Sequence, residues 1–239
     1  RSSVSVLSGN APARFLSASS SRQRSRRPAT KLIAAPTNYH AHVAEMEARR
    51  PGQPPGKGIA GAGLFLKANS ALIGFGEEIA LRWPDRRNDH EIELAVIIGR
   101  ECSNVSVEDA LDYVAGYACA LDMTLKPERE DWAFAKSFDT YGILGPCLVT
   151  ADEIADPSAL GYRFWVNDEL RGERSFADLT GSPAQMIAFA STAMTLYPGD
   201  LVLSGAADVA PVAIGDVMTL NIPGIGTMET AVSVSPLAR

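Results

Sequence analysis

The chain has 239 residues, 46% hydrophobic and 21% charged, with a net charge of −6. That size and composition can bury a full core without disulfides. Three cysteines without CxxC spacing fit a reducing compartment, and no apolar run reaches the ~18 residues of a membrane span. The charge is unevenly spread. Of 22 bases and 28 acids, seven bases and no acid lie in residues 1–31 (Arg1, Arg14, Arg22, Arg24, Arg26, Arg27, Lys31), which leaves 15 against 28, a net −13, for the rest. Residues 1–30 are therefore set apart as a basic, Ser/Arg-rich segment. Its composition suits an import leader, a basic arm or a loose terminus. For the whole chain the expectation is a cytoplasmic protein with neither nucleic acid nor membrane as partner.

Lys31–Ala35 is an apolar run stopped by Pro36 and reads as a strand. Thr37 or Asn38 is placed to cap a helix over about 39–49. Eight Gly or Pro between 51 and 63 predict a loop, and with the helix they make a hinged element, a lid over about 37–63. Leu64–Lys67 and Ala71–Ile73 read as strands. Glu91–Ile98 starts with alternation and becomes continuously apolar, as a strand entering a buried sheet does. Val107–Leu111 predicts a short helix, Tyr113–Met123 a strand, and 126–136 a polar loop or helix. Leu160–Asn167 alternates into an Asn167-Asp168 hairpin turn and Glu169–Arg171. Pro183–Met194 is helical. Turns at 198–200, 215–216 and 224–226 separate the strands Leu201–Ser204 and Val217–Ile222 and a final strand. Many short strands with few helices predict an α+β fold with a mixed, largely antiparallel, rolled sheet.

Several residues stand out chemically. Glu91 and Glu93, two apart on a strand, leave the same face; they are either a solvated face or a pair needing a cation between them. Asp122, between Leu121 and Met123 at the end of the next strand, would complete an all-oxygen site suited to Mg²⁺ or Mn²⁺ rather than zinc. His42 and Glu45 share a helix face, and such a pair can act as a carboxylate-steered general base or be a chance surface pair. His40 faces elsewhere and reads as surface. Lys136, among small and aromatic residues, either snorkels or points into a polar cleft. Lys67 and Lys126 pose the same question.

The stretches Asn38–Met46, Leu64–Lys67, His90–Gly99, Asp112–Tyr117, Leu121–Thr124, Ala135–Thr140, Leu144–Pro146, Val166-Asn167, Pro198–Asp200 and Gly224–Thr227 run in one order from about residue 31 to the C-terminus. That ordered set resembles the fumarylacetoacetate hydrolase family. The resemblance implies one catalytic domain over 31–239, a rolled β-structure and a homodimer. It places the three metal acids on Glu91, Glu93 and Asp122, the lid dyad on His42 and Glu45, and the active-site lysine on Lys136. Lys67, Lys126, Ser204 and Gly205 fall in the substrate-binding set, the substrate being an anionic 2-oxo acid. The implied activity is hydrolysis of a C–C bond in a 2,4-dioxo (acylpyruvate-like) acid, or decarboxylation, isomerisation or lysis of a related 2-oxo acid such as oxaloacetate. The chain departs from the family pattern at three places. Lys126 stands for an arginine, Ser204-Gly205-Ala206-Ala207 for a Thr-Gly-Thr-Pro loop, and Gly172 for a glutamine after the hairpin.

Overall fold

The computed structural model describes residues 31–49, 59–126 and 132–238. In chain order the elements are β1 (Leu32–Ala34), α1 (His40–Arg49), α2 (Ile59–Ala62), β2 (Phe65–Lys67), β3 (Leu72–Gly74), β4 (Ile79–Leu81), β5 (Asn88–Ile98), β6 (Val114–Leu125), α3 (Trp132–Ala135), β7 (Gly142–Thr150), β8 (Gly161–Val166), β9 (Glu169–Ser175), α4 (Pro183–Ala193), β10 (Leu201–Leu203), β11 (Ala210–Val212), β12 (Val217–Ile222) and β13 (Gly226–Val234). They form an eight-stranded sheet, β2-β1-β10-β5-β6-β7-β3 with β11 added to β5, and a five-stranded sheet, β4-β13-β12-β8-β9. Most pairings are antiparallel, while β1–β10, β3–β7 and β4–β13 are parallel. The α+β fold with mixed, curled sheets is the one expected.

The long strand β5 is buried on both faces over all 11 of its residues. Ile92, Leu94, Val96 and Ile98 join the main core, which also takes Phe164, Leu220 and Met228 from the second sheet. On the opposite face Ala95 and Ile97 join a small cluster with Leu32, Ala34, Ala118, Leu201 and Leu203. Glu91 and Glu93 continue that second face, so the carboxylates stand at the end of a buried sheet surface. A solvated strand face is excluded: Glu91 is 8% and Glu93 1% exposed.

The hairpin turn at Asn167 forms, with Asn167 at φ 54° and its side-chain amide donating to Asp216. Helix α4 starts with a capping box. Ser182 Oγ accepts the Gln185 N–H, and Gln185 Oε1 accepts the Ser182 N–H.

Several expectations need correction. Asn38 does not cap α1. Its amide donates to the carbonyls of Gly181 (2.8 Å) and Ser204 (2.7 Å), and its oxygen accepts from Gly181 N–H and Thr180 Oγ1, so it ties the lead into α1 to two distant loops. Within the expected Gly/Pro loop, Ile59–Ala62 is a helical turn, because Ile59 is apolar and buried; residues 50–58 lie outside the described residues. The expected helix at 107–111 is a turn followed by a 3₁₀ turn at Ala110–Tyr113. Strands β4, β7 and β11 were not anticipated. In β7 the strand absorbs Gly145-Pro146 as an irregularity, with Tyr117 opposite Val149 and Cys119 opposite Gly145.

Candidate metal centre and substrate pocket

Register builds the site. In the β5–β6 ladder Glu91 stands directly opposite Asp122, and Glu93 opposite Ala120. Opposed residues on one face approach within about 5.5 Å at Cβ. Glu91, Glu93 and Asp122 thereby bring one carboxylate oxygen each within 4.8 Å of one another, and all three are buried. Three buried anions at that spacing require compensation.

Part of it comes from lysine. Lys136 Nζ lies 2.7 Å from Glu91 Oε2 and 2.7 Å from Asp122 Oδ2, and it donates to Thr124 Oγ1 at 2.7 Å. The Thr124 hydroxyl donates in turn to Glu91 Oε1. Lys67 donates to Asp122 Oδ1 and, at 2.6 Å, to the Tyr141 carbonyl. Neither lysine snorkels; both are fully buried. Burial opposes the Lys136 charge, but Asp122 and Glu91 outweigh it and hold the ammonium above the usual lysine range. Burial lowers Lys67, with the like charge of Lys136 adding to the effect against Asp122. Burial also works against the Glu91 carboxylate, but Lys136 and the Thr124 hydroxyl hold its pKa below the usual value.

Glu93 is the uncompensated member. Its Oε2 accepts the Gly205 N–H and the Ser204 hydroxyl (3.3 Å); among the described residues no lysine pairs with it directly, and the more distant Lys136 charge offsets its burial only in part. Burial, then Asp122, then Glu91 push its carboxyl well above the ordinary range. An all-oxygen donor set in which burial and neighbouring acids disfavour one member's charge is what a divalent cation would relieve. The residues therefore fit a Mg²⁺- or Mn²⁺-type ion. Gly205 sits at φ 88°, and a Cβ there would meet Asn38 Cβ at 2.7 Å, so only glycine brings this N–H to Glu93.

Ser204 and Gly205, expected in the substrate-binding set, both donate to Glu93. Ser204 Oγ also accepts the Leu94 N–H at 2.9 Å, which fixes β10 against β5. Lys126 ends β6, where its N–H donates to the Arg87 carbonyl at 2.8 Å, and its charge reaches Glu91. His42 is half-buried on α1, and its Nδ1 is buried without a hydrogen-bond partner among the described residues. Glu45 lies on the same helix, but its side chain is outside the described set. His40 is exposed, as expected.

His42 opens onto a cavity of about 290 Å³ that also meets Arg171, Arg174, Ala207, Asp208 and Ala210. This cavity adjoins the carboxylates through the chain. Ala207 follows the Gly205 loop, and Ala210 pairs with His90, the neighbour of Glu91. Asp208 accepts from Tyr162 Oη (2.9 Å) and from Arg174 Nη2 (2.8 Å). Burial, then Glu93, raises the pKa of the Tyr39 phenol, whose hydroxyl is buried without a hydrogen-bond partner among the described residues. Sequence reasoning missed Thr124, Tyr39, Arg171, Arg174 and Asp208. Only Thr124 carried a signal, two residues from Asp122 and so on its face.

Comparison with known proteins agrees with this geometry. The family described as fumarylacetoacetate (FAA) hydrolase C-terminal matches residues 31–233. The chain belongs to that family and is an enzyme of it. A maleylpyruvate hydrolase of Aquipseudomonas alcaligenes is 46% identical over 210 residues, 84% of this chain and 72% of that one. A mitochondrial oxaloacetate tautomerase of Bos taurus is 34% identical over 206 residues, 83% and 89% of the two chains. A crystal structure of maleylpyruvate hydrolase from Sphingobium sp. SYK-6, in complex with manganese(II) and pyruvate, superposes with a TM-score of 0.73 at 39% identity, over 87% of this chain and 71% of that one. Among the described residues no helix is long and apolar enough to cross a membrane.

Proposed function

We propose that the protein hydrolyses the C–C bond of a 2,4-dioxo acid of the acylpyruvate type, with Mg²⁺ or Mn²⁺ held by Glu91, Glu93 and Asp122. The observation that carries this reading is the buried trio of carboxylates with Glu93 left uncompensated. The relatives named for maleylpyruvate hydrolysis, and the manganese and pyruvate held by one of them, support it.

When bound, the cation supplies an electron sink for an enolate and an anchor for the 2-oxo acid end of the substrate. The protein supplies the rest. His42 Nδ1, free of a protein partner, takes a proton from water, and Glu45 steers the ring. The hydroxide adds to the acyl carbonyl at C4. The C3–C4 bond then breaks, its electron pair passing to C3 as the enolate of pyruvate. The proton held by His42 returns to C3, leaving a carboxylic acid and pyruvate. Lys136, kept charged by Asp122 and Glu91, faces the developing oxyanion, and Lys67 and Lys126 add positive potential for an anionic substrate. A homodimer belongs to the same reading, with molar mass in solution as its check.

A second reading keeps the cation and enolate but drops the attacking water: tautomerisation or decarboxylation of an oxaloacetate-like acid. Its support is the similarity to oxaloacetate tautomerase. An activity screen over acylpyruvates and oxaloacetate with added Mg²⁺ or Mn²⁺, products identified, separates the two. His42→Ala should lower C–C hydrolysis about 100-fold or more. Unchanged hydrolysis in that variant would remove the dyad from the mechanism.

A further inference from the structure

The peptide between Ser204 and Gly205 is held on both sides. Its N–H donates to Glu93 Oε2, and its carbonyl accepts from Asn38 Nδ2 at 2.7 Å. The peptide is trans, so its carbonyl and N–H point in opposite directions. A group that holds the oxygen on one side therefore aims the hydrogen at the other. The chain before this peptide is already fixed to β5: Ser204 N–H donates to the Leu94 carbonyl at 3.0 Å, and Ser204 Oγ accepts the Leu94 N–H at 2.9 Å. The freedom that remains is rotation of one peptide plane, and Gly205, at φ 88° and without a Cβ, offers little resistance to it. Turned over, the plane would set the Ser204 carbonyl against the Glu93 carboxylate.

Asn38 opposes that rotation. It is fully buried and in direct contact with Gly205, where a Cβ would meet Asn38 Cβ at 2.7 Å. Its Nδ2 donates to the Gly181 carbonyl at 2.8 Å as well as to Ser204, and its Oδ1 accepts the Gly181 N–H at 2.7 Å and the Thr180 hydroxyl at 2.8 Å. Carbonyls on one side and donors on the other leave the amide a single orientation. The Asn38 backbone is fixed too, its carbonyl accepting the Thr180 N–H at 2.8 Å. Helix α1, with His42, starts from this anchored residue.

We propose that Asn38 is a positioning residue for the cation site: it orients the Ser204–Gly205 peptide so that the Gly205 N–H holds Glu93 as a ligand, and it ties that peptide to the root of α1. This rests on the reading of Glu91, Glu93 and Asp122 as the cation ligands. None of the hydrogen bonds of Asn38 among the described residues reaches a carboxylate, so its effect on the cation passes through the peptide. An N–H fixed on a carboxylate oxygen sets the rotation of the carboxylate and stabilises its negative charge, and partners of this kind govern metal affinity nearly as much as the ligands do.

The test is Asn38→Asp, which keeps the size and the acceptor oxygen but puts a second oxygen where the amide donates to Ser204. In metal-free protein, amide exchange followed by NMR should be faster at Gly205 on the order of 10-fold, while the amides of the β5–β6 ladder keep their protection. Mn²⁺ affinity, read by calorimetry, should fall on the order of 10-fold. The added negative charge alone would draw the cation in, so a loss cannot be put down to charge. Ser191→Ala is the control for a lost buried hydrogen bond: this hydroxyl joins Val105 N–H to the Ala188 carbonyl in α4, and its removal should leave Mn²⁺ affinity within about 2-fold. Unchanged Gly205 exchange in Asn38→Asp, Mn²⁺ affinity equal to or tighter than wild type, or an equal loss in Ser191→Ala would overturn the proposal. If the wild type takes up no Mn²⁺, the cation reading fails on its own. The exchange measurement then decides by itself whether Asn38 orients the peptide: faster exchange at Gly205 upholds that role and unchanged exchange overturns it.

Discussion

Two charged regions of this protein lie side by side and are built in opposite ways. The carboxylates Glu91, Glu93 and Asp122, with Lys67, project from paired strands; Lys136 joins them from the end of α3, and all five are almost fully enclosed. The His42–Arg171–Arg174–Asp208 cavity is assembled from a helix, a hairpin strand and a loop, and it is partly open, with Arg174 42% exposed in its side chain. In the first region the ladder fixes where each charge stands. In the second, position depends on side chains bracing one another, so small sequence changes can redirect it. A rigid set of charges beside a more adjustable one follows from that division.

The comparison predicts unequal sensitivity to charge removal. The largest effect is expected at Glu93. Glu93→Ala should abolish Mn²⁺ binding at micromolar concentrations in a calorimetric titration, whereas Arg174→Met should leave it unchanged. If Arg174→Met weakened the metal equally, the two regions would not be separable. Next is Lys136→Met, which leaves Asp122 and Glu91 without their shared cation. Breaking a buried pair costs about 3–5 kcal/mol, read by urea unfolding of the metal-free protein, and added Mn²⁺ should return part of it. Arg174→Met, on the open side, should cost about 1 kcal/mol or less.

His90 sits at the boundary of the regions and gives a pH test. Its ring is fully buried, packs on Phe164 with centroids 4.5 Å apart, and has no hydrogen bond on either nitrogen among the described residues. Burial first, then the Arg171 charge, lowers its pKa from 6.5 to about 4, against Glu91 and Asp208. The folded protein therefore binds fewer protons than the unfolded chain between those values. Stability should fall as pH drops from about 6.5 to about 4, by roughly 3 kcal/mol from this group. His90→Leu should flatten that part of the curve in metal-free protein. An unchanged slope would show that the ring is protonated without cost.

What the sequence made legible follows the same boundary. Period-two alternation exposed the start of β5 and the β8–β9 hairpin, and it put Glu91 and Glu93 on one face; β6 was legible as a run of small and apolar residues. The opposition of Glu91 to Asp122 was not readable, because register across the connection 99–113 is set by packing and not by local pattern. Strands β7 and β11 were hidden by Gly145-Pro146 and Pro211, residues that signal turns; β11 tolerates its proline as a short strand laid on the end of β5. Arg171, Arg174 and Asp208 stand in no pattern that marks them in the sequence. Position 208 meets position 174 only because β9 and the loop after β10 fold onto the same cavity.

The smallest expected effect falls at the point where that cavity is most finely set. Gly172→Ala places a Cβ 2.6 Å from Asp208 Oδ2. The atom it meets is the end of a loop side chain, so the carboxylate can swing aside at a cost of about 1 kcal/mol in stability. Its bonds to Tyr162 and Arg174 would then lengthen or break, and Arg174 would turn toward the cavity. Metal affinity should not change, because Glu91, Glu93 and Asp122 lie on other strands. Substrate KM should change by a few-fold, because Arg174 lines the same cavity as His42. A shift in metal affinity as large as the shift in KM would mean that the open region is mechanically joined to the closed one.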